Sequence, residues 1–216
     1  MKNFPLLLCL LTVIYLPLSM ANDYVNLAVT ITDADGNKVE NGVVIFTPTF
    51  NLETPPPSPL EPAIMNQINK QFAPHVLVVH AGTEVSFPNA DNLFHHVYSF
   101  SPAKQFEVKL YKEFTAEPLL FEQAGIVDIG CNIHDWMLGY IVVADSPFFL
   151  KTDADGNAQI DLAKGEYEVR FWHPSAAKAK AFDSDSIVID SDKSLSLTLD
   201  KVVPANDSFD DGFGDY

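Results

Sequence analysis

Residue types that bind soft metal ions occur close together in the second half of the sequence. Cys131, His134 and Met137 are separated by two residues each, which gives the pattern C-x2-H-x2-M, and upstream His95 and His96 stand side by side. Together these side chains offer a thiolate, imidazoles and a thioether. Two imidazoles and a thiolate in a trigonal plane, with a weak axial thioether, are the ligands of blue-copper sites.

The spacing of these residues suits one metal ion. A loop with two residues between successive ligands can wrap around an ion, and a ligand from a neighbouring strand is fixed independently of that loop. Thiolate and thioether suit Cu(I), and imidazole suits both oxidation states. We therefore expect His95, Cys131, His134 and Met137 to bind copper. A structural zinc site is the main competitor, although zinc prefers Cys and His without a thioether. With no metal, Cys131 would be a small buried hydrophobic residue.

The N-terminal segment predicts export. A short positively charged start is followed by an almost unbroken apolar run and then by small residues at the -3 and -1 positions, Ser19 and Ala21. This pattern predicts a secretory signal peptide over residues 1–21, cleaved after Ala21, and a periplasmic or secreted protein with no membrane span in its mature form. Cleavage would remove Cys9, one of two cysteines, and leave Cys131 without a disulfide partner. Its thiol then requires burial or a metal bond.

The charge balance restricts the class of partner. The chain of 216 residues has 13 Lys and Arg against 29 Asp and Glu, a formal net charge of -16. Phosphate repels such a surface, which argues against nucleic acid as a partner. The length is sufficient for one or two domains with a substantial core.

The elements that must position the candidate ligands are β-strands. Short alternating segments recur at about ten-residue spacing between turn residues, which predicts a sandwich or barrel. Segments 26–32 and 42–46 predict a hairpin about an Asp- and Gly-containing turn. Segment 47–62 has six prolines and predicts a connector, because proline excludes a helix or a central strand. Residues 63–72 predict one short helical turn. The further predicted strands are 76–79, 85–87, 97–100, 106–110, 119–121, 127–130, 140–143, 158–162, 166–172, 186–189 and 195–199.

One motif is repeated. The letters TDADGN occupy residues 32–37 and again 152–157. Neither copy predicts an EF-hand calcium loop, because the glycine falls too early and no Glu closes a twelve-residue loop. We expect two hairpin turns, in which Asp caps its own backbone and Gly-Asn accepts positive φ.

The segment from Gln71 to Ala144 resembles a cupredoxin domain of the plastocyanin and amicyanin type. The C-x2-H-x2-M loop is the short form seen in amicyanin, and HAGTEVSFPNADNLFHHVYSF resembles the strand pair that leads to the first histidine ligand, where His-Asn-Val is usual. This resemblance assigns His95 as the ligand and places His96 where an asparagine normally helps to hold the ligand loop. His96 therefore remains the alternative ligand. If they do not bind the ion, His96 and Asn132 are expected to lie next to the ligands and help to hold them in place.

More closely, HHVYSFSPAKQFEVKLY and GCNIHDWMLGYIVVADSPFF resemble bacterial methylamine-utilisation-type cupredoxin proteins, a family label that establishes no role in amine metabolism. The flanking stretches AVTITDADGNKVENGVVIF and KTDADGNAQIDLAKGEYEVRFWHP resemble the two halves of a carboxypeptidase-regulatory-like, transthyretin-type sandwich. The resemblances imply an all-β chain in which a cupredoxin Greek-key sandwich or barrel is inserted into a second, small transthyretin-like β-sandwich. The alternative is two β-domains in series.

The expected domain boundaries follow from these resemblances. They are a signal peptide at 1–21, a hairpin and Pro-rich connector at 22–62, a copper domain at 63–146, a sandwich portion at 147–203 and an acidic disordered tail at 204–216.

The resemblance implies an exported type 1 copper protein, with one copper ion per chain, that carries single electrons between periplasmic redox partners. His134 would lie at the surface, with Trp136 and Leu138 in a docking patch. The acidic surface would attract a cationic partner, such as a basic c-type cytochrome. We expect no enzymatic activity, because a type 1 centre has no open coordination position. The alternatives are a periplasmic copper chaperone or store, and a secreted β-sandwich module that binds its partner without a metal.

Overall fold

The computed structural model describes residues 23–52, 62–112, 117–176 and 182–199, and within these ranges the chain forms seventeen β-strands and no helix. The all-β prediction is therefore confirmed. The predicted signal peptide, most of the Pro-rich connector and the predicted acidic tail lie outside the described residues. Within the described ranges no helix has the length and apolarity that a membrane span requires.

The strands account for most of the described chain. They are β1 (Tyr24–Asp33), β2 (Val43–Pro48), β3 (Ala63–Ile64), β4 (Asn66–Ile68), β5 (Gln71–Ala73), β6 (Val76–His80), β7 (Thr83–Ser86), β8 (His95–Ser101), β9 (Lys104–Tyr111), β10 (Leu119–Phe121), β11 (Gly125–Cys131), β12 (Leu138–Ala144), β13 (Phe148–Lys151), β14 (Asn157–Ala163), β15 (Gly165–Trp172), β16 (Asp183–Ile189) and β17 (Lys193–Leu199). Strand β2 includes the first two residues of the predicted connector and ends at Pro48, which has a neighbouring strand on one side alone because the pairing with β13 stops at Phe46.

Strands from the N- and C-terminal parts of the chain form one unit, the flanking sandwich (β1, β2 and β13 to β17). β1 lies between β14 and β17, antiparallel to β14 and parallel to β17. β2 lies between β13 and β15 in the second sheet, antiparallel to both. The two sheets enclose a core that includes Leu27, Val29, Phe46, Tyr167 and Val169. Strands from the two flanks thus pair with each other.

The predicted hairpin of β1 and β2 is wrong, because these strands belong to different sheets. β1 directs Leu27 and Val29 into the core, and β2 directs Val44 and Phe46 into the same core. These side chains meet face to face across the sandwich, so the strands cannot also lie side by side. The connecting segment 34–42 therefore crosses from one sheet to the other.

Both copies of the repeated motif form tight turns, as predicted. Asp33 and Asp153 each accept hydrogen bonds at Oδ1 from the backbone N–H groups two and four residues later, at 2.8–3.0 Å. Gly36 and Gly156 have φ angles of 83° and 70°, which only glycine adopts readily. The second copy joins β13 to β14, which also lie in different sheets, so both turns connect sheets rather than close hairpins.

The central domain (β3 to β12) contains the candidate ligands. A five-stranded sheet in the order β6-β12-β11-β8-β9 is accompanied by a three-stranded sheet in the order β10-β7-β3 and by the β4–β5 hairpin. Their shared core includes Phe87, Phe121, Ile129, Cys131 and Met137. Two of the predicted ligands are therefore core residues of this domain.

The helical turn expected over residues 63–72 is wrong, since this stretch forms β3, β4 and most of β5. Met65 and Gln67 are both fully buried, and a two-residue interval between buried side chains is the period of a strand. The β4–β5 hairpin turns at Asn69 and Lys70, whose φ angles are 54° and 57°.

A third buried cluster joins the flanking sandwich to the central domain. It consists of Val43, Ile45, Val76, Val142, Ala144 and Trp172. The Tyr140 ring lies edge-on to Trp172 with centroids 5.3 Å apart, and Lys151 Nζ donates to Val76 O at 2.9 Å. The flanking sandwich thus packs on β6 and β12, and β12 is the strand that leaves the predicted ligand loop.

Candidate metal centre

The predicted ligand loop connects the end of β11, at Cys131, to the start of β12, at Leu138. Cys131 O accepts from the N–H of His134 at 3.3 Å, and His134 O accepts from the N–H of Met137 at 2.9 Å. Cys131 N–H donates back to Met137 O at 3.3 Å. Two successive tight turns therefore explain why the three ligand positions are spaced by three residues, since each turn returns the chain to the same side of the loop.

The neighbouring strand β8 supplies the upstream histidine. β8 is antiparallel to β11, with Val97 opposite Cys131, and the N–H of Asn132 donates to His96 O at 3.1 Å. His95 is the first residue of β8, and its side chain points into the domain with that of Val97, two residues on. This register brings the imidazole of His95 to the sulfur of Cys131.

The three side chains form a compact cluster. Cys131 Sγ lies 3.7 Å from His95 Nδ1 and 3.6 Å from His134 Nδ1, and all three potential ligand atoms lie within 4.8 Å of one another. Bonds of about 2.0 Å to nitrogen and about 2.3 Å to sulfur, at a trigonal angle, separate the two atoms by roughly 3.7 Å. The spacing therefore fits one ion between them. Met137 and Cys131 are each 2% exposed and belong to the same core cluster.

The adjacent His96 points to the opposite face of β8. Its Nε2 lies 2.9 Å from Glu107 Oε1, and its ring is 6.4 Å from that of Tyr98. The structure thus brings His95, and not His96, to the thiol. His96 and Asn132 contact the site through the backbone hydrogen bond between them, which ties the loop to β8, while the Asn132 side chain is exposed.

Asp91 is a site residue that the sequence analysis missed. Its Oδ2 lies 2.9 Å from His95 Nε2, the ring nitrogen that faces away from the thiol. Partial burial alone would raise the pKa of Asp91, but hydrogen bonds from the N–H groups of Lys70 and Asn69 and from His95 together lower it. The only signal in the sequence is an acidic residue four positions before a histidine, which is too common to identify a partner.

The edge of the cluster reaches the surface at His134, which is partly exposed. Desolvation and the adjacent His95 both lower the pKa of His134, so its ring favours the neutral form that can bind a metal. Trp136 is 66% exposed, with its ring 5.4 Å from that of His134. Leu138 is only partly exposed, so of the two predicted docking residues Trp136 presents the larger apolar surface.

Comparison with known proteins gives matches in structure alone. No protein-family model matches the chain, and no curated protein matches it in sequence. A reduced variant of amicyanin is 25% identical, covering 38% of this chain and 81% of that one, with a TM-score of 0.35. A second amicyanin variant, in the Cu(I) state, is 21% identical, covering 46% and 97%, with a TM-score of 0.34.

A further match is the copper-containing nitrite reductase of Thermus scotoductus SA-01, which is 23% identical over 45% of this chain and 25% of that one, with a TM-score of 0.37. These structural neighbours have the cupredoxin fold. The similarity covers less than half of this chain at 21–25% identity.

Proposed function

We propose that the chain is an exported type 1 copper protein, with one copper ion held in a cupredoxin domain, that carries single electrons between redox proteins. The observation that carries this proposal is the equal approach of two imidazoles to one buried thiol, with Nδ1 of His95 and of His134 at 3.7 Å and 3.6 Å from Cys131 Sγ. A thiol with two imidazoles and a nearby thioether matches the donor set of blue-copper sites.

Each ligand residue has a separate role in the proposed site. Cys131, His95 and His134 would supply the strong thiolate and imidazole donors, and Met137 would supply a weak thioether donor. A copper ion held there would supply a one-electron couple, Cu(II)/Cu(I), so the protein would accept an electron from a reduced partner and pass it to an oxidised one. The protein holds the ligand positions by backbone hydrogen bonds within the loop and to β8, so they move little between the two states.

Partners would meet the site where His134 approaches the surface. The sequence neighbours of the two histidine ligands include exposed apolar side chains, which are Leu93, Phe94, Ile133 and Trp136. An apolar patch with few charges allows a partner to approach closely, and the net charge of -16 attracts a cationic one. We therefore propose a basic redox protein, such as a c-type cytochrome, as the partner, with an association rate that falls as salt is added.

We propose no catalytic activity for this site. Cys131, His95 and Asp91 form a thiol–imidazole–carboxylate chain of the kind that cysteine hydrolases use. Cys131 is only 2% exposed, however, and the second imidazole of His134 lies equally close to it. A buried thiol between two histidines suits metal binding better than attack on a substrate.

The test is the visible spectrum of the mature chain from Asn22 with added Cu(II). We expect an intense thiolate-to-copper band that Cys131→Ser abolishes. His95→Gln and His96→Gln are a matched pair of neighbouring substitutions, and only His95→Gln should remove the band. A colourless wild-type protein would contradict the proposal, and loss of the band in His96→Gln alone would overturn the ligand assignment.

Two further measurements separate the proposed function from its alternatives. Reversible one-electron voltammetry with retention of copper supports a carrier, whereas rapid transfer of Cu(I) to an acceptor protein would indicate a chaperone. N-terminal sequencing of the exported chain tests the proposed periplasmic or secreted location. Asn22 is the expected first residue, and an uncleaved chain would contradict the signal peptide.

A further inference from the structure

The imidazole of His95 is held from both sides. Its Nδ1 faces Cys131 Sγ, while its Nε2 lies 2.9 Å from Asp91 Oδ2, and the His95 side chain is fully buried. A carboxylate accepts hydrogen bonds and cannot donate them, so Nε2 must carry the proton. In the neutral imidazole that binds metals, Nδ1 is then the nitrogen with a free lone pair.

The carboxylate of Asp91 is itself fixed in place. Asp91 Oδ1 accepts from the N–H of Asn69 at 2.7 Å, and Oδ2 accepts from the N–H of Lys70 at 2.8 Å. The N–H of Asp91 donates to Asn89 Oδ1 at 3.0 Å. With 12% of its side chain exposed, Asp91 is a nearly buried carboxylate whose hydrogen bonds prevent it from rotating away from His95.

The turn of the β4–β5 hairpin, which binds the Asp91 carboxylate, has a strained backbone. Asn69 and Lys70 both have positive φ, an uncommon conformation for residues other than glycine and one with an energetic cost. In return, two consecutive N–H groups point at one carboxylate, which is how short backbone segments bind anions. The β4–β5 hairpin thus reaches the candidate metal centre through Asp91.

We propose that Asp91 is a positioning residue for the metal centre, which fixes His95 as an Nδ1 ligand and uses its charge to favour the oxidised ion. This inference rests on the proposed copper function. A carboxylate bound to the outer nitrogen of a metal-binding histidine makes the inner nitrogen a stronger donor. A stronger and more negative donor stabilises Cu(II) more than Cu(I), so Asp91 lowers the reduction potential.

The test compares the potentials of two variants that each lose one negative charge. Asp91→Asn removes the carboxylate that contacts His95, whereas Asp135→Asn removes an exposed carboxylate beside His134 in the ligand loop. We expect Asp91→Asn to weaken Cu(II) binding about tenfold relative to Cu(I), which is a rise of about 59 mV in the potential. Asp135→Asn should shift the potential much less, because water screens its charge.

Equal shifts in the two variants, with both proteins still blue, would overturn the role of Asp91 and leave the copper function intact. A colourless wild-type protein would overturn the proposed function and the tuning of copper together. The two failures are therefore distinguishable.

A second measurement keeps the inference testable if Asp91→Asn does not fold. In the diamagnetic Cu(I) form of the wild-type protein, ¹⁵N-edited NMR should show the Nε2–H of His95 as a strongly downfield, slowly exchanging proton. The partly exposed ring of His134 is the internal control, and its N–H should exchange rapidly. An unprotonated Nε2 on His95, or a shift no different from that of an ordinary neutral hydrogen bond, would overturn the proposal.

Discussion

The central domain and the flanking sandwich are built from similar strands, but their buried side chains His95 and Thr152 have different kinds of partner. In the flanking sandwich, Thr152 Oγ1 donates to Val39 O and Tyr167 Oη donates to Ala163 O, both at 2.7 Å. In the central domain, fully buried His95 instead faces the side chains of Cys131 and Asp91. Backbone partners indicate a role in folding, whereas a buried group that faces other reactive side chains indicates a site.

The same contrast separates the aspartates in turns. Asp153 accepts hydrogen bonds from the backbone of its own turn, two and four residues later. Asp91 accepts from Asn69 and Lys70 in a different hairpin and contacts His95 as well. The first arrangement stabilises one local conformation, and the second joins a distant turn to a candidate ligand.

The largest expected effect comes from separating the two regions with Trp172→Ala. Trp172 is 1% exposed in the cluster that joins the flanking sandwich to the central domain. Removing a buried tryptophan side chain costs about 3 to 5 kcal/mol, because burial is lost and a cavity remains. We expect one cooperative unfolding transition in the wild-type protein and two in the variant, resolved by hydrogen exchange of each segment.

Trp172→Phe is the control, since it refills much of the space and should lose less stability. A single, unshifted transition in Trp172→Ala would mean that the Trp172 side chain does not couple the two regions.

Copper binding should produce the next largest effect, and it tests which region contains the site. Free ion at 100 times its dissociation constant stabilises a folded protein by about 2.7 kcal/mol. In Trp172→Ala the two regions are expected to unfold separately. Copper should then slow the hydrogen exchange of the central domain alone. Copper should stabilise the Cys131→Ser variant much less. If copper slowed the hydrogen exchange of both regions equally in Trp172→Ala, the ion would bind outside the proposed cluster.

The sequence predicts which candidate ligands lie close together better than it predicts the arrangement of strands. The ligand set depends on residue types at short spacing, so Cys131, His134 and Met137 are recognisable without a fold. Alternation identifies which side chains of a strand are buried, but it does not identify the neighbouring strand. For this reason the sequence predicts a hairpin of β1 and β2, although these strands face each other across a core.

Asp91 shows the same limitation within the site. Its hydrogen-bond partners are the backbone of the β4–β5 hairpin and the side chain of His95. These groups come together only when the central domain has folded. The sequence of the β4–β5 region predicts a helical turn instead, because buried Met65 and Gln67 lie in a stretch too short to show the period of a strand. A residue that acts only through tertiary contacts cannot be identified from a local sequence pattern.

A smaller effect on stability is expected for Asp153→Ala. This variant tests whether an aspartate that bonds only to its own turn has a purely structural role. The loss of two backbone hydrogen bonds should lower the free energy of unfolding by about 1 kcal/mol. The potential and spectrum of the copper form should not change, in contrast to Asp91→Asn. Asp155→Ala removes the same charge from the same turn and is the matched control for urea unfolding. A spectral change in Asp153→Ala would contradict the division between structural and functional carboxylates.

The smallest effect is a pH dependence in the flanking sandwich. Neutral His173 accepts the N–H of Ser175 at Nδ1 and lies 2.9 Å from Glu40 O through Nε2. Desolvation and the nearby His75 lower its pKa, although the hydrogen bond to Glu40 opposes them. The unfolded chain therefore takes up the proton first, and stability should be lost as the pH falls below about 6.5. Thermal unfolding between pH 7 and pH 5 should show a smaller decrease in His173→Gln than in the wild-type protein. An equal decrease in both would assign the acid sensitivity to other groups, including the histidines of the metal centre.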